Sequence, residues 1–159
     1  MSDLNHGKVR FVSGGEELLD VARPLWLKLR EHVIARSEHF SAQMSQLSWQ
    51  ERRKEILDKV PGTEVFVDLA LDHADVLVGY CVSTITPSKQ GEIDSIFVEE
   101  GWRGAGIGDQ LMQRAEQWLD ASGARMRTLE VTWGNEEVMG FYARHGFLPR
   151  RIVLQKKGP

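Results

Sequence analysis

The stretch Gly91–Leu119, GEIDSIFVEEGWRGAGIGDQLMQRAEQWL, decides how the rest of the chain is read. It opens as a strand, because Ile93, Ile96, Phe97 and Val98 bring the β-branched and aromatic residues that strands favour. It passes through Glu99-Glu100-Gly101-Trp102 into Arg103-Gly104-Ala105-Gly106-Ile107-Gly108. Beyond that turn, Leu111, Met112, Ala115, Trp118 and Leu119 recur at helical spacing. Glycines placed between a strand and a helix N-terminus aim unpaired N–H groups and the positive end of the helix dipole at one spot. Such a spot favours a phosphate or diphosphate.

Two common phosphate loops are excluded by residue type. A Walker loop needs Lys followed by Ser or Thr, and this turn has no Lys. A dinucleotide fingerprint counted from Gly104 ends on Asp109, a carboxylate where bare backbone must pack. The pattern present is Arg-x-x-Gly-x-Gly, at Arg103, Gly106 and Gly108. In this the chain resembles the GCN5-related N-acetyltransferases (GNAT). A plain β–α turn would use glycines for positive φ equally well, so the turn alone leaves both readings open.

Outward from this stretch, the chain of 159 residues is long enough for one domain with a sizeable core. A net charge of −3 argues against a nucleic-acid binder, which needs a basic excess. The lone Cys81 permits no intrachain disulfide and no cysteine-based metal site. MSDLNHGKVR carries no apolar run, and no 18-residue apolar stretch occurs, so the expectation is a cytoplasmic protein that does not engage membranes.

In chain order, Lys8–Val12 reads as a strand, and Ser13 with Glu16 has capping-box spacing for a helix running to about Arg36. Pro24 predicts a kink or restart within it. Residues 37–47 read as a loop, and Ser48 with Glu51 opens a second helix that Pro61-Gly62 stops. Alternation from Val65 to Leu71, from Val76 to Ile85 and into the Gly91 strand predicts an antiparallel meander, with Gly79 at a bulge or close approach. The strand Arg127–Trp133 follows a helical crossover and should lie parallel to its predecessor. Asn135-Glu136-Glu137 starts a last helix closed by Arg144-His145-Gly146, and Phe147–Leu154 reads as a final strand. The order β-α-α-β-β-β-α-β-α-β is α/β with a mixed, mostly antiparallel twisted sheet and helices on both faces. It resembles the GNAT fold over residues 1–159 as a single acetyltransferase domain.

The second carrier of the resemblance is Asn135–Phe147, NEEVMGFYARHGF, where Asn135, Phe141, Tyr142, Gly146 and Phe147 match the family's pattern. Glu100 and Val138 depart from it, where the family often has Pro and Ala. The resemblance implies acetyl-CoA as co-substrate. It implies cofactor contacts from Ile96, Phe97, Val98, Arg103, Gly104, Ala105, Gly106, Ile107, Gly108, Asn135 and Phe141, with Tyr142 beside the thioester sulfur. Without it, Asn135 is a helix cap and Tyr142 a core residue.

Acetyl transfer to an amine needs a neutral amine, donors for the oxyanion and a proton for the departing thiolate. A lysine-like amine is neutral in only roughly 1 in 2,500 molecules at pH 7, so a base matters. Glu92 and Asp94, two apart on the central strand, are the candidates, with Glu92 first by its match to a family general base. A solvent-facing carboxylate pair fits them equally. Tyr142 is the candidate acid, and a main-chain N–H near Phe97 the candidate oxyanion donor. His32 and His39 lack a third ligand at metal spacing, so no metal is expected. Cys81 reads as a small core residue, and Trp26, Trp49 and Trp102 as either core or pocket lining. The expected activity is acetyl transfer from acetyl-CoA to a primary amine of a small molecule or peptide, by a monomer or homodimer. A non-catalytic acyl-CoA-binding module on the same fold is the alternative.

Overall fold

The computed structural model describes residues 7–158, so the N-terminal hexapeptide included in the reading of MSDLNHGKVR lies outside the description. Five strands form one sheet in sequence order: β1 (Arg10–Gly14), β2 (Glu64–Leu71), β3 (Leu77–Ile85), β4 (Gln90–Val98) and β5 (Met126–Leu129). The first four pair antiparallel, and β5 joins β4 in parallel after the helical crossover. The meander and the parallel crossover expected from the alternation are both present.

Helices cover both faces. On one side α1 (Leu19–Arg36) and α3 (Trp49–Leu57) pack Leu19, Trp26, Trp49 and Ile56 against Val67, Leu69, Tyr80 and Val82. On the other, α4 (Ile107–Ala121) packs Leu111, Met112, Ala115 and Leu119 against Val78, Cys81, Ile85 and Ile93. These α4 side chains step by three and four residues, which gives the helix one continuous apolar stripe. A half-buried ion pair crosses the second layer: Arg114 of α4 holds fully buried Asp68 of β2 and lies 4.7 Å from the Phe11 ring centre. Burial pushes the Asp68 carboxyl above its ordinary pKa, and the guanidinium opposes that rise.

Several local expectations are corrected. The first strand extends to Gly14 and absorbs Ser13, so no Ser13–Glu16 capping box forms; Glu17 accepts from the Gly15 N–H instead, and a 3₁₀ turn precedes α1. The helix does not restart at Pro24 but runs on as one element from Leu19 to Arg36. Proline there lacks the N–H that would bond the Asp20 carbonyl, while its ring-fixed φ of about −65° is a helical value. Within 37–47 a short helix, α2 (Ser41–Met44), replaces plain loop. The Ser48–Glu51 capping box does form, with bonds of 3.2 and 2.8 Å. β5 stops at Leu129 rather than Trp133, and Phe147–Leu154 joins no ladder. The last helix begins as a 3₁₀ turn at Glu136 and becomes α5 (Met139–Arg144), with no side-chain cap from Asn135.

Candidate active site

The site follows from where two strands part. β5 pairs with β4 only from Gln90 opposite Met126 to Ile93 opposite Leu129. β4 runs on to Val98 paired with β3 alone, so the β4 edge beyond Ile93 is open. The chain after Leu129 is held instead at the C-terminal end of α1. Gly134, at φ +103°, lies so close that an added Cβ would sit 1.9 Å from the Arg36 carbonyl oxygen. Arg36 Nε and His32 Nε2 reach Glu137 at 2.9 and 3.1 Å, and Trp133 Nε1 donates to Glu38 at 3.4 Å. Those contacts keep the fork open.

A cleft of about 770 Å³ fills the fork. Ile96, Phe97, Val98, Arg103, Gly104, Gly106, Ile107, Gly108, Asn135, Phe141 and Tyr142 all line it; Ala105, exposed in the same turn, does not. Leu29, His32, Trp102, Asp109 and Glu137 also border it. A second depression of about 650 Å³ between α2 and α3 contains none of the expected chemical groups.

Each part of the cleft has a local cause. Gly104 and Gly106 hold φ of +82° and +79°, and a Cβ added to either meets nothing within 4 Å, so the turn's outer side is open. Gln110 is the first residue to donate into α4, to the Gly106 carbonyl. The N–H groups of Ile107, Gly108 and Asp109 therefore have no acceptor within the helix. Gly108 serves packing instead: its added Cβ would be 3.3 Å from the Phe141 ring. Arg103 donates from Nε to the Val98 carbonyl at 3.0 Å and lies over the Phe97 ring, tying the turn to the end of β4. Asp109 would oppose an anion here, but Arg144 pairs with it at 3.2 Å and His145 lies in hydrogen-bond contact with it at 2.7 Å. The bond from His145, then Arg144, lowers its carboxyl pKa.

Asn135 is buried, and its Oδ1 has no hydrogen-bond partner among the described residues. A buried amide oxygen left unpaired costs about 1–3 kcal/mol, so its orientation into the cleft points to a ligand group that would satisfy it. Tyr142 is half-buried, and its hydroxyl likewise has no hydrogen-bond partner among the described residues. Burial, helped by nearby Cys81, pushes its pKa up to about 12. The hydroxyl therefore keeps its proton throughout the neutral range.

The two candidate bases lie elsewhere on β4. Asp94 is the extra residue where the β3–β4 register shifts, since Val82 pairs with Ser95 and Ser83 with Ile93. The strand is thus irregular there, yet both carboxylates meet one ammonium, that of Lys59, which also donates to Thr84 at 2.9 Å. The Asp94 side chain is 1% exposed and accepts from Thr84 Oγ1 at 2.6 Å, while Glu92 keeps 30% exposure. Burial raises the Asp94 pKa, against the lowering by Lys59 and Thr84. Neither carboxylate lines the cleft that holds Tyr142. Lys59 was invisible in the sequence, because its partners lie 25 and 33 residues away. Of the tryptophans, Trp102 lines the cleft, whereas Trp26 and Trp49 pack together in the core. Cys81 is buried, and burial pushes its thiol up to about 12. No group of three metal-ligating side chains occurs among the described residues, and no helix there is long and apolar enough to cross a membrane.

Comparison with known proteins bears on the whole arrangement. Residues 26–147 match the family model described as the acetyltransferase (GNAT) family. An uncharacterized N-acetyltransferase of Methanocaldococcus jannaschii is 35% identical over 72 residues, which is 45% of this chain and 32% of that protein. The chain thus matches about a third of that relative's length. Among solved structures, the aminoglycoside N-acetyltransferase AAC(6')-Iy in complex with CoA superposes with a TM-score of 0.65 at 17% identity, covering 94% of this chain and 95% of that one. The BH1408 protein of Bacillus halodurans gives 0.66 at 17%, covering 92% and 98%. At such identities the likeness is one of fold. With its glycine turn, forked sheet and tyrosine helix all inside the matched segment, the chain belongs to the GNAT family of acetyltransferases.

Proposed function

We propose that residues 1–159 work as one N-acetyltransferase domain that moves an acetyl group from acetyl-CoA directly to a primary amine of a small molecule or peptide. The observation that carries this reading is the pair of unpartnered polar groups, Asn135 Oδ1 and the Tyr142 hydroxyl, in the same cleft as the open glycine turn. When bound, acetyl-CoA supplies an acetyl group activated as a thioester. The N–H groups of Ile107, Gly108 and Asp109, which have no acceptor within the helix, and the α4 dipole suit its diphosphate. Asn135 suits the amide-bearing pantetheine arm, with Ile96, Phe97, Val98 and Phe141 as apolar walls.

The chain's own groups then divide the chemistry. A main-chain N–H near Phe97 on the open β4 edge is the oxyanion donor. The Tyr142 hydroxyl, protonated at neutral pH, donates a hydrogen bond toward the leaving sulfur. Its high pKa makes full proton transfer to a thiolate of pKa ~8.5 uphill, so stabilisation of developing charge is its main role. Glu92, with Asp94 behind it, takes the amine proton from outside the cleft, which neither carboxylate lines. Lys59 must yield Glu92, or a water must relay the proton, because the ammonium occupies that carboxylate in the structure.

The test is a thiol-release assay at saturating acetyl-CoA against polyamines, amino acids, peptides and aminoglycosides. Aminoglycosides belong in the panel because a neighbour of the same fold is an aminoglycoside N-acetyltransferase. Amine-dependent thiol release supports the reading. Tight acetyl-CoA binding with no release across the panel would leave a non-catalytic binding module instead.

A further inference from the structure

Lys59, just beyond the end of α3, joins two carboxylates of β4 that are buried to very different degrees. Its ammonium is ringed by Thr84 Oγ1 at 2.9 Å, Asp94 Oδ1 at 2.5 Å and Glu92 Oε2. The Asp94 side chain is 1% exposed, whereas that of Glu92 is 30% exposed. Asp94 Oδ1 is buried without a hydrogen bond, so the ammonium is what compensates its charge. Taking a cation from a buried carboxylate costs far more than taking it from one in contact with water. An ammonium that must release one partner here therefore releases Glu92. Arg52 also reaches β4 at this point, donating to the Asp94 carbonyl at 2.7 Å, but it pairs with Glu55 at 3.3 Å and adds no net charge. The cluster is two carboxylates against one ammonium, with one negative charge in excess.

We propose that Lys59 sets the charge of the acceptor: it stays on Asp94 and leaves Glu92 as the seat of a single ammonium, so the site takes acceptors that present one alkylammonium and not a closely spaced pair. This rests on Glu92 being the acceptor's base, as proposed above. Both carboxylates touch the same ammonium, so without Lys59 they would face one small space, and a short diamine would match both. With Lys59 in place, a second ammonium meets a like charge at close range, which is repulsive. Asp94, closed from solvent behind the ammonium, does not receive the acceptor itself. Lys59 is thus a positioning residue that acts through the carboxylate it leaves free.

NMR titration with propylamine and with propane-1,3-diamine, matched in length, tests this through binding and without turnover. In the wild type the two Kd values are expected to agree within about twofold. Lys59→Met keeps most of the stem and empties the space of the ammonium. There the diamine should gain about fivefold over propylamine, the upper end for one exposed ion pair. Asp94→Asn keeps an acceptor for Thr84 and removes a buried charge, so it decides the matter if Lys59→Met fails to fold. With residue 94 neutral, Lys59 falls back on Glu92, and propylamine should bind about fivefold more weakly. An unchanged ratio in folded Lys59→Met, an unchanged propylamine affinity in Asp94→Asn, or a wild type that binds neither amine would each overturn the proposal. Failure of the acetyl-transfer reading is separate: no thiol release, with these shifts intact, would remove that reading and leave the charge selection standing.

Discussion

At Tyr142, removal of one oxygen separates a catalytic role from a packing role. Tyr142→Phe keeps the ring, its neighbours and the cleft. The expected loss is in kcat, roughly 10²–10³-fold for a lost charge-stabilising donor, with KM for acetyl-CoA and melting temperature nearly unchanged. A packing tyrosine would instead show near-wild-type kcat. The pH profile adds a second check. The protonated form is the working one, so activity falls as pH rises through its pKa, which burial sets at about 12. No alkaline fall assignable to this group is expected up to pH ~10, where an ordinary tyrosine would already be half ionised. Cys81 is predicted to be dispensable, because a thiol pushed up to about 12 supplies no thiolate at neutral pH. Cys81→Ala should cost about 1 kcal/mol through a small cavity and leave turnover of the folded enzyme intact. Loss of activity with the fold retained would revive an acyl-cysteine route.

At the scale of elements, the fork depends on the loop after β5 being pinned to α1. Gly134→Ala places a Cβ on the Arg36 carbonyl at a positive φ. It should therefore lower the melting temperature and weaken acetyl-CoA binding together, because Asn135 follows directly; a change in neither would detach this loop from the site. This part of the site was not legible in the sequence. Gly134 reads as an ordinary turn glycine, and its contact with Arg36 spans most of the chain. Glu92 and Asp94 were legible as a pair, but the bulge at Asp94 and the shared Lys59 were not, since both arise from long-range packing. By contrast, Ser48 and Glu51 were readable because a capping box is local. The misassigned box at Ser13 shows the limit of such signals. Pairing with Asp68 of β2 draws Ser13 into the sheet, and the ladder outweighs the cap.

For the whole molecule, the strand order and the two helical layers were legible because period-two and helical stripes alternate cleanly from Val65 to Leu119. A final strand was read from the same kind of signal, but Phe147–Leu154 joins no ladder, because strand-type residues do not by themselves supply a pairing partner. The glycine turn was legible for a reason that needs separating from function. Gly104 and Gly106 both hold positive φ, so their conformation explains them whether or not a diphosphate binds. Calorimetric titration of acetyl-CoA and of pantetheine into the wild type and Gly106→Val separates the two. The account predicts 1:1 binding of acetyl-CoA by the wild type. In the folded variant it predicts roughly 100-fold weaker binding, about 2.7 kcal/mol, with pantetheine affinity unchanged because pantetheine carries no diphosphate. Unchanged acetyl-CoA affinity in a folded Gly106→Val protein, or no binding by the wild type, would contradict it.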